Sequence, residues 1–240
     1  MAAEEHSSLI DVSNINEKVY SYIKASIMNF TYPPGFNLNL NQLSEKLGVS
    51  HTPIKDALFK LAGEGLVEIA PRKGTYVKDV TQDDIREILQ TRLILEAAAV
   101  DAVTARLTDD QLSQFAQIYE RMISIEIREN DVESYRAFIE CDSEFHLLFF
   151  RILGNQRLLI MVKNLNANMQ IGRFRLFHRR GKNPTTDQEH ADILKALQDR
   201  DTGRAKEAVQ RHLLSLIAAC TLQPGEAAAN GLTGSGVQGA

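Results

Sequence analysis

The chain has 240 residues, of which 44% are apolar and 24% charged, enough apolar material for one large or two small folded domains. No apolar run approaches the roughly 18–20 residues of a membrane span, and Glu4, Glu5 and His6 near the start do not fit a secretory signal, so no membrane partner is expected. Two cysteines, Cys141 and Cys220, make no disulfide framework and suit a reducing cytoplasm, while a net charge of −4 excludes a uniformly basic chain.

Residues 1–14 read as a flexible tail. A first helix is predicted from about Asn16 to Met28, because Val19, Ile23 and Ile27 recur every four residues on one face. Tyr32-Pro33-Pro34-Gly35 ends that element. From Leu43 the pattern becomes a short helix, a tight turn, a second helix and a hairpin. Gly48 is placed to end the first of these helices, Ser50 or Thr52 to cap the next, and Pro53 to sit in its first turn. The second helix therefore opens with small polar donors, as suits a helix whose N-terminus enters a DNA groove. A winged helix-turn-helix over 15–80 is the result. Its predicted DNA contacts are Asn41 on the preceding helix, Ser50, His51, Thr52 and Lys55 on the reading helix, and Arg72, Lys73 and Gly74 in the wing. Residues 15–80 carry eight Lys/Arg against six acids, a balance of +2 that sets them apart from the acidic remainder. So small an excess gives one copy modest phosphate attraction, which predicts a homodimer on a palindromic double-stranded operator.

Everything from 81 to 223 reads helical. Thr81 can cap a helix to about Arg106, with Asp83 and Asp84 favouring its dipole. Thr108 starts another to about Glu129; a third runs from about Val132 to Leu153, stopped by Gly154; a fourth covers Gln156 to Arg179. Gly181-Lys182-Asn183-Pro184 is a break, and His178-Arg179-Arg180 before it is a basic helix end suited to the dipole. Helices near Thr186–Gln198 and Thr202–Leu222 follow, separated by Asp199-Arg200-Asp201. The segment 224–240, rich in Gly, Ala and Ser, is expected to be disordered. The fold class is mainly α: a winged helix-turn-helix followed by a bundle of about six helices.

Within that bundle, Asp142 and His146 stand at i and i+4 on one helix face and can reach one ion. His190 and His212 lie on apolar stripes about eleven residues either side of the turn near Asp201. At about 1.5 Å rise per residue, an antiparallel pair sets them at nearly equal height. Each histidine alone reads as a core residue; together with Asp142 they form a candidate metal site. One carboxylate and three imidazoles suit zinc, nickel or manganese, and the ligand types alone do not choose among them; zinc is the first expectation. A four-coordinate ion would be structural, whereas an octahedral one keeps positions open for a carboxylate effector. Arg92 falls on an apolar stripe and needs a carboxylate partner, either Glu96 one turn on or a bound ligand. Asn166, Gln170 and Arg173 form a polar strip that is either pocket lining or a solvated face.

The helix-turn-helix stretch resembles the GntR family of bacterial transcription regulators. It keeps Leu43, Leu47-Gly48-Val49-Ser50, Thr52-Pro53-Ile54, Ala57-Leu58, Leu61, Gly65-Leu66-Val67 and the wing glycine Gly74. It departs in having His51 and Lys55 where the family usually carries arginines, which leaves the operator sequence open. Residues 82–222 resemble the FCD effector-binding domain of the FadR subfamily. Many such domains bind a divalent metal through an Asp-x-x-x-His and two later histidines, and Asp142, His146, His190 and His212 match those positions. Arg92-x-x-Leu95-Glu96 fits the start of the domain. The resemblance implies a dimeric regulator whose DNA binding responds to a small organic acid effector. A metal-sensing regulator and a metal-dependent enzyme fused to a DNA-binding domain are the alternatives. No general base accompanies the ligand set, since Glu144 points away from Asp142, so no enzyme is expected.

Overall fold

The structure, a computed structural model, describes residues 11–127, 131–177 and 185–221. Residues 1–10 of the tail expected over 1–14, the expected tail 224–240, the basic stretch 178–180 and the break at 181–184 lie outside them. The described residues hold nine α-helices and one two-stranded sheet, a mainly α protein. They divide into two compact units, one reaching to Thr81 and including Ile160–Arg175, the other formed by Gln82–Leu159 and the residues from Leu176 on.

In the first unit α1 (Asp11–Met28) opens ahead of the expected start near Asn16. Residues 11–16 contain an acid at the dipole's positive end and neither glycine nor proline, so nothing stops the helix from extending. Val19, Ile23 and Ile27 are buried, and α1 packs on the helix His51–Gly63. Asn39 caps α2 (Leu40–Leu47) by accepting hydrogen bonds from the amides of Asn41 and Gln42. Gly48 then turns the chain left-handed at φ 65° and donates its amide to Ser44, whose hydroxyl donates to the Val49 carbonyl at 2.6 Å. That closes the turn into α3 (His51–Gly63). Ser50 occupies the N-cap position of α3 but makes no capping bond through its side chain, so the chain direction, not a hydroxyl, sets this helix start. Ile54, Ala57, Leu58 and Leu61 bury its inner face.

Strands β1 (Val67–Ala70) and β2 (Gly74–Val77) pair antiparallel, from Val67 opposite Val77 to Ala70 opposite Gly74. The tip between them holds Arg72 at φ 64° and Gly74 at φ 132°, the second of which only glycine adopts freely. Residues Ile160–Arg175 of the later helix α7 (Gln156–Phe177) belong to this unit as well. The Asn168 amide donates to the carbonyl of Glu64, the residue that ends α3, at 2.9 Å.

The second unit is a helical bundle. It begins with α4 (Gln82–Val103), followed by a 3-10 turn at Thr104–Arg106 rather than a continuous helix to Arg106. Thr108 and Gln111 form a reciprocal capping box at the start of α5 (Asp109–Ser124). This helix stops at Ile125, which is extended (ψ 109°), short of the expected Glu129. The isoleucines at 123, 125 and 127 weaken helix propagation there. Asp131 caps α6 (Val132–Leu153), and Gly154 ends it at φ 75°. Then come α7 (Gln156–Phe177), α8 (Thr186–Gln198) and α9 (Thr202–Thr221). α4 packs on α6 and α9, and α8 packs on α5 and α9. This gathers the inward stripes of α4, α6, α8 and α9 around one interior. No helix among the described residues is long and apolar enough to cross a membrane.

Candidate metal centre and DNA-reading surface

The stripe of α6 that carries Phe138, Phe145 and Phe149 into the core also carries Asp142 and His146, both fully buried. His190 on α8 and His212 on α9 are fully buried too. The two rings sit 4.5 Å apart, His146 stacks 5.0 Å from His212, and His146 and His190 are 5.3 Å apart. One ligand atom from each of the four residues lies within 4.8 Å of all the others. Two ligands on opposite sides of an ion with about 2.1 Å bonds stand about 4.2 Å apart, so a slight contraction lets one ion take all four.

The hydrogen bonds around the rings decide which atoms face the centre. His146 Nδ1 lies 2.7 Å from Glu96 Oε2, His212 Nδ1 2.8 Å from Glu189 Oε2, and His190 Nδ1 2.8 Å from the Thr186 carbonyl. A carboxylate and a carbonyl only accept, so each Nδ1 carries the proton and donates it. The three Nε2 atoms are therefore lone-pair acceptors; they are buried and none has a hydrogen-bond partner. His190 Nε2 stands 3.5 Å from Asp142 Oδ1, one acceptor facing another. Only a positive charge makes that arrangement favourable. A proton serves poorly: burial, and then the neighbouring His212, push His190 well below the ordinary histidine range. Burial lowers His212 as well, against the opposing pull of Glu189. A divalent cation fits the donor set better, since it needs neutral imidazoles and an ionised carboxylate.

Arg92 is fully buried and donates from Nε to Glu96 Oε1 at 2.5 Å. Burial by itself raises the Glu96 carboxyl, but Arg92 and His146 outweigh it and bring it down to about 2. The internal partner foreseen for Arg92 is therefore present. Asn166 is also buried, with neither amide atom hydrogen-bonded, while Gln170 is half-buried. Both belong to the first unit, and the side chain of Arg173 lies outside the described residues. Glu144 turns to Arg121 at 2.5 Å, and Cys141 is half-buried outside the four-residue cluster. Sequence reasoning missed Thr186 and Glu189, and took Glu96 only as a partner for Arg92. Glu96 lies on the Arg92 stripe, but nothing in the sequence marks its contact with a histidine fifty residues away.

On the first unit, Asn41, Ser50, His51, Thr52, Lys55, Arg72 and Lys73 are all exposed, and Gly74 is half-buried. The reading-helix start and the wing tip thus present polar and basic groups to solvent.

A winged helix-turn-helix joined to a chain-internal helical bundle is the build of a bacterial DNA-binding transcription regulator. Residues 15–77 match the model of the bacterial regulatory proteins of the gntR family, and residues 87–215 match the FCD domain. The chain belongs to the GntR family of transcription regulators and carries an FCD domain. It is 28% identical over 200 residues to the HTH-type transcriptional repressor RspR of Escherichia coli, covering 83% of this chain and 86% of that one. The Nta operon transcriptional regulator of Aminobacter aminovorans is 24% identical over 186 residues, 78% of this chain and 85% of its own. Among solved structures, Escherichia coli McbR/YncC shares the fold with a TM-score of 0.70 at 22% identity, over 86% of this chain and 96% of that one.

Proposed function

We propose that this regulator binds a palindromic DNA operator as a homodimer in the cytoplasm, and that its FCD domain holds a divalent metal and a small carboxylate effector that modulates operator binding. Residues 15–80 read DNA and 81–223 sense the effector. Asp142, His146, His190 and His212 hold the ion, zinc in the first instance, with nickel or manganese as the other candidates. The observation that carries this reading is the buried meeting of three Nε2 lone pairs with the Asp142 carboxylate. A bound divalent ion supplies a Lewis-acidic point for an anionic ligand, because one carboxylate and three neutral imidazoles leave it about one net positive charge. Glu96 does not cancel that charge, since Arg92 already neutralises it.

Arg92, Asn166, Gln170 and Arg173 are assigned to the effector. Arg92 gives its Nε to Glu96, which fixes the guanidinium in place. The unsatisfied amide of buried Asn166 supports the assignment, since such groups normally have a partner. Asn41, Ser50, His51, Thr52 and Lys55, with Arg72, Lys73 and Gly74, make the DNA contacts. RspR is named a repressor, and repression is the proposed direction here.

Thermal unfolding of metal-stripped and metal-restored protein against a panel of small organic acids tests the reading. A ligand that binds only the folded state raises Tm by mass action. The expected result is stabilisation by zinc, with a further rise from one acid only when zinc is present. Stabilisation by zinc alone, coupled to a change in DNA affinity, would make the ion itself the signal. No response to any divalent metal would remove the metal centre.

A further inference from the structure

We infer that Glu96 and Glu189 are positioning residues of the centre, each fixing the tautomer of one ligand histidine, with the Thr186 carbonyl doing the same for the third. This rests on the metal reading above. The three imidazoles come from three different helices, yet all are held at the same atom. Glu96 takes the Nδ1 proton of His146, Glu189 that of His212 and the Thr186 carbonyl that of His190, at 2.7–2.8 Å. An imidazole binds a metal through one nitrogen only when its proton sits on the other, and an outer acceptor both selects that tautomer and aims the ring. A core needing only filled space would not require this arrangement. Residues of similar volume without charge replace a buried ion pair at little or no cost to stability. Yet Arg92 and Glu96, both fully buried, form such a pair, and the second oxygen of Glu96 is spent on a ligand histidine.

The two carboxylates are held by different means. Glu96 is clamped by Arg92 in the dry interior. Glu189 precedes His190 on α8 but reaches across to α9, keeps 12% of its side chain exposed, and takes a hydrogen bond from the Thr185 hydroxyl at 3.1 Å. One side chain of α8 is thus a ligand while its neighbour orients a ligand of another helix.

The test measures zinc affinity of the full chain by competition with a chromophoric chelator, and histidine tautomers in the metal-free chain from long-range nitrogen–proton NMR couplings. Three variants are compared: Glu189→Met, the double Arg92→Met/Glu96→Met, and the ligand deletion His146→Ala. The double substitution leaves no uncompensated charge, and Glu189→Met changes a partly exposed site, so at least one remains folded. Loss of an outer partner typically lowers metal affinity 10–100-fold. The expected result is a loss of about that size in both glutamate variants, with the Nδ1-protonated signature lost at His212 in one and at His146 in the other. Zinc affinity within about twofold of the unsubstituted chain, with the tautomers unchanged, would overturn the inference while the His146→Ala loss left the metal centre standing. Failure of the unsubstituted chain to bind zinc, nickel or manganese would overturn the metal reading itself, and this inference with it.

Discussion

His190 and His212 are neutral bases enclosed by protein, and their protonation works against the fold. Both have folded-state values below the ordinary 6.5, through burial first. Above about pH 6.5 they are neutral whether the chain is folded or not and cost nothing. As pH falls below that value the unfolded chain takes up protons that the folded chain refuses, so stability drops towards the depressed folded-state values. Glu96, at about 2 against an ordinary 4.5, adds a second loss at still lower pH by the same sign. Metal-stripped protein is therefore expected to show a falling Tm from about pH 7 to pH 5, and calorimetry across that range checks it; a flat or rising Tm would contradict the buried neutral histidines. Histidine periodicity made the buried cluster of Asp142, His146, His190 and His212 legible in the sequence, because i and i+4 spacing and equal distance from a turn are local properties of helices. The acceptors behind the rings were not, because Glu96 meets His146 across two helices and Glu189 meets His212 across another two.

Helix α3 and the wing present their charges differently, and variants separate the two. His51 and Lys55 are exposed at the start of α3, where a groove-reading helix meets base edges, while Arg72 and Lys73 occupy the tip beyond β1. His51→Ala is expected to weaken binding to a selected operator more than to scrambled DNA. Arg72→Ala and Lys73→Ala are expected to weaken both alike, each lowering the slope of log affinity against log salt by about one. Fluorescence anisotropy on both DNAs at several salt concentrations distinguishes the roles, and equal losses for His51→Ala would deny it a base contact. At this scale the sequence was legible wherever a stop or cap was local. Gly48, Gly154 and Thr108 end or begin helices where their types require. The end of α5 was not, since apolar isoleucines there mimic a continuing stripe while β-branching opposes it.

At the scale of the whole molecule, one long-range link joins α7 to α3. Asn168 donates to the carbonyl of Glu64 and to that of Asn164, and a methyl group on Gly65 would meet its amide nitrogen at 3.3 Å. Asn168→Ala in the full chain is expected to lower stability by about 1 kcal/mol, the net worth of one such bond. Amide hydrogen exchange at Gly65 and Leu66 should rise with it, and unchanged exchange would show the bond to be idle. Nothing in the sequence announced this link, because 104 residues separate the two ends. It also means that the end of the reading helix is held by a residue inside the stretch that matches the FCD domain, far along the gene. Grafting this head onto another regulator by splicing at Thr81 would leave Asn168 behind, so the chimera would lose the hydrogen bond that holds the Glu64 carbonyl.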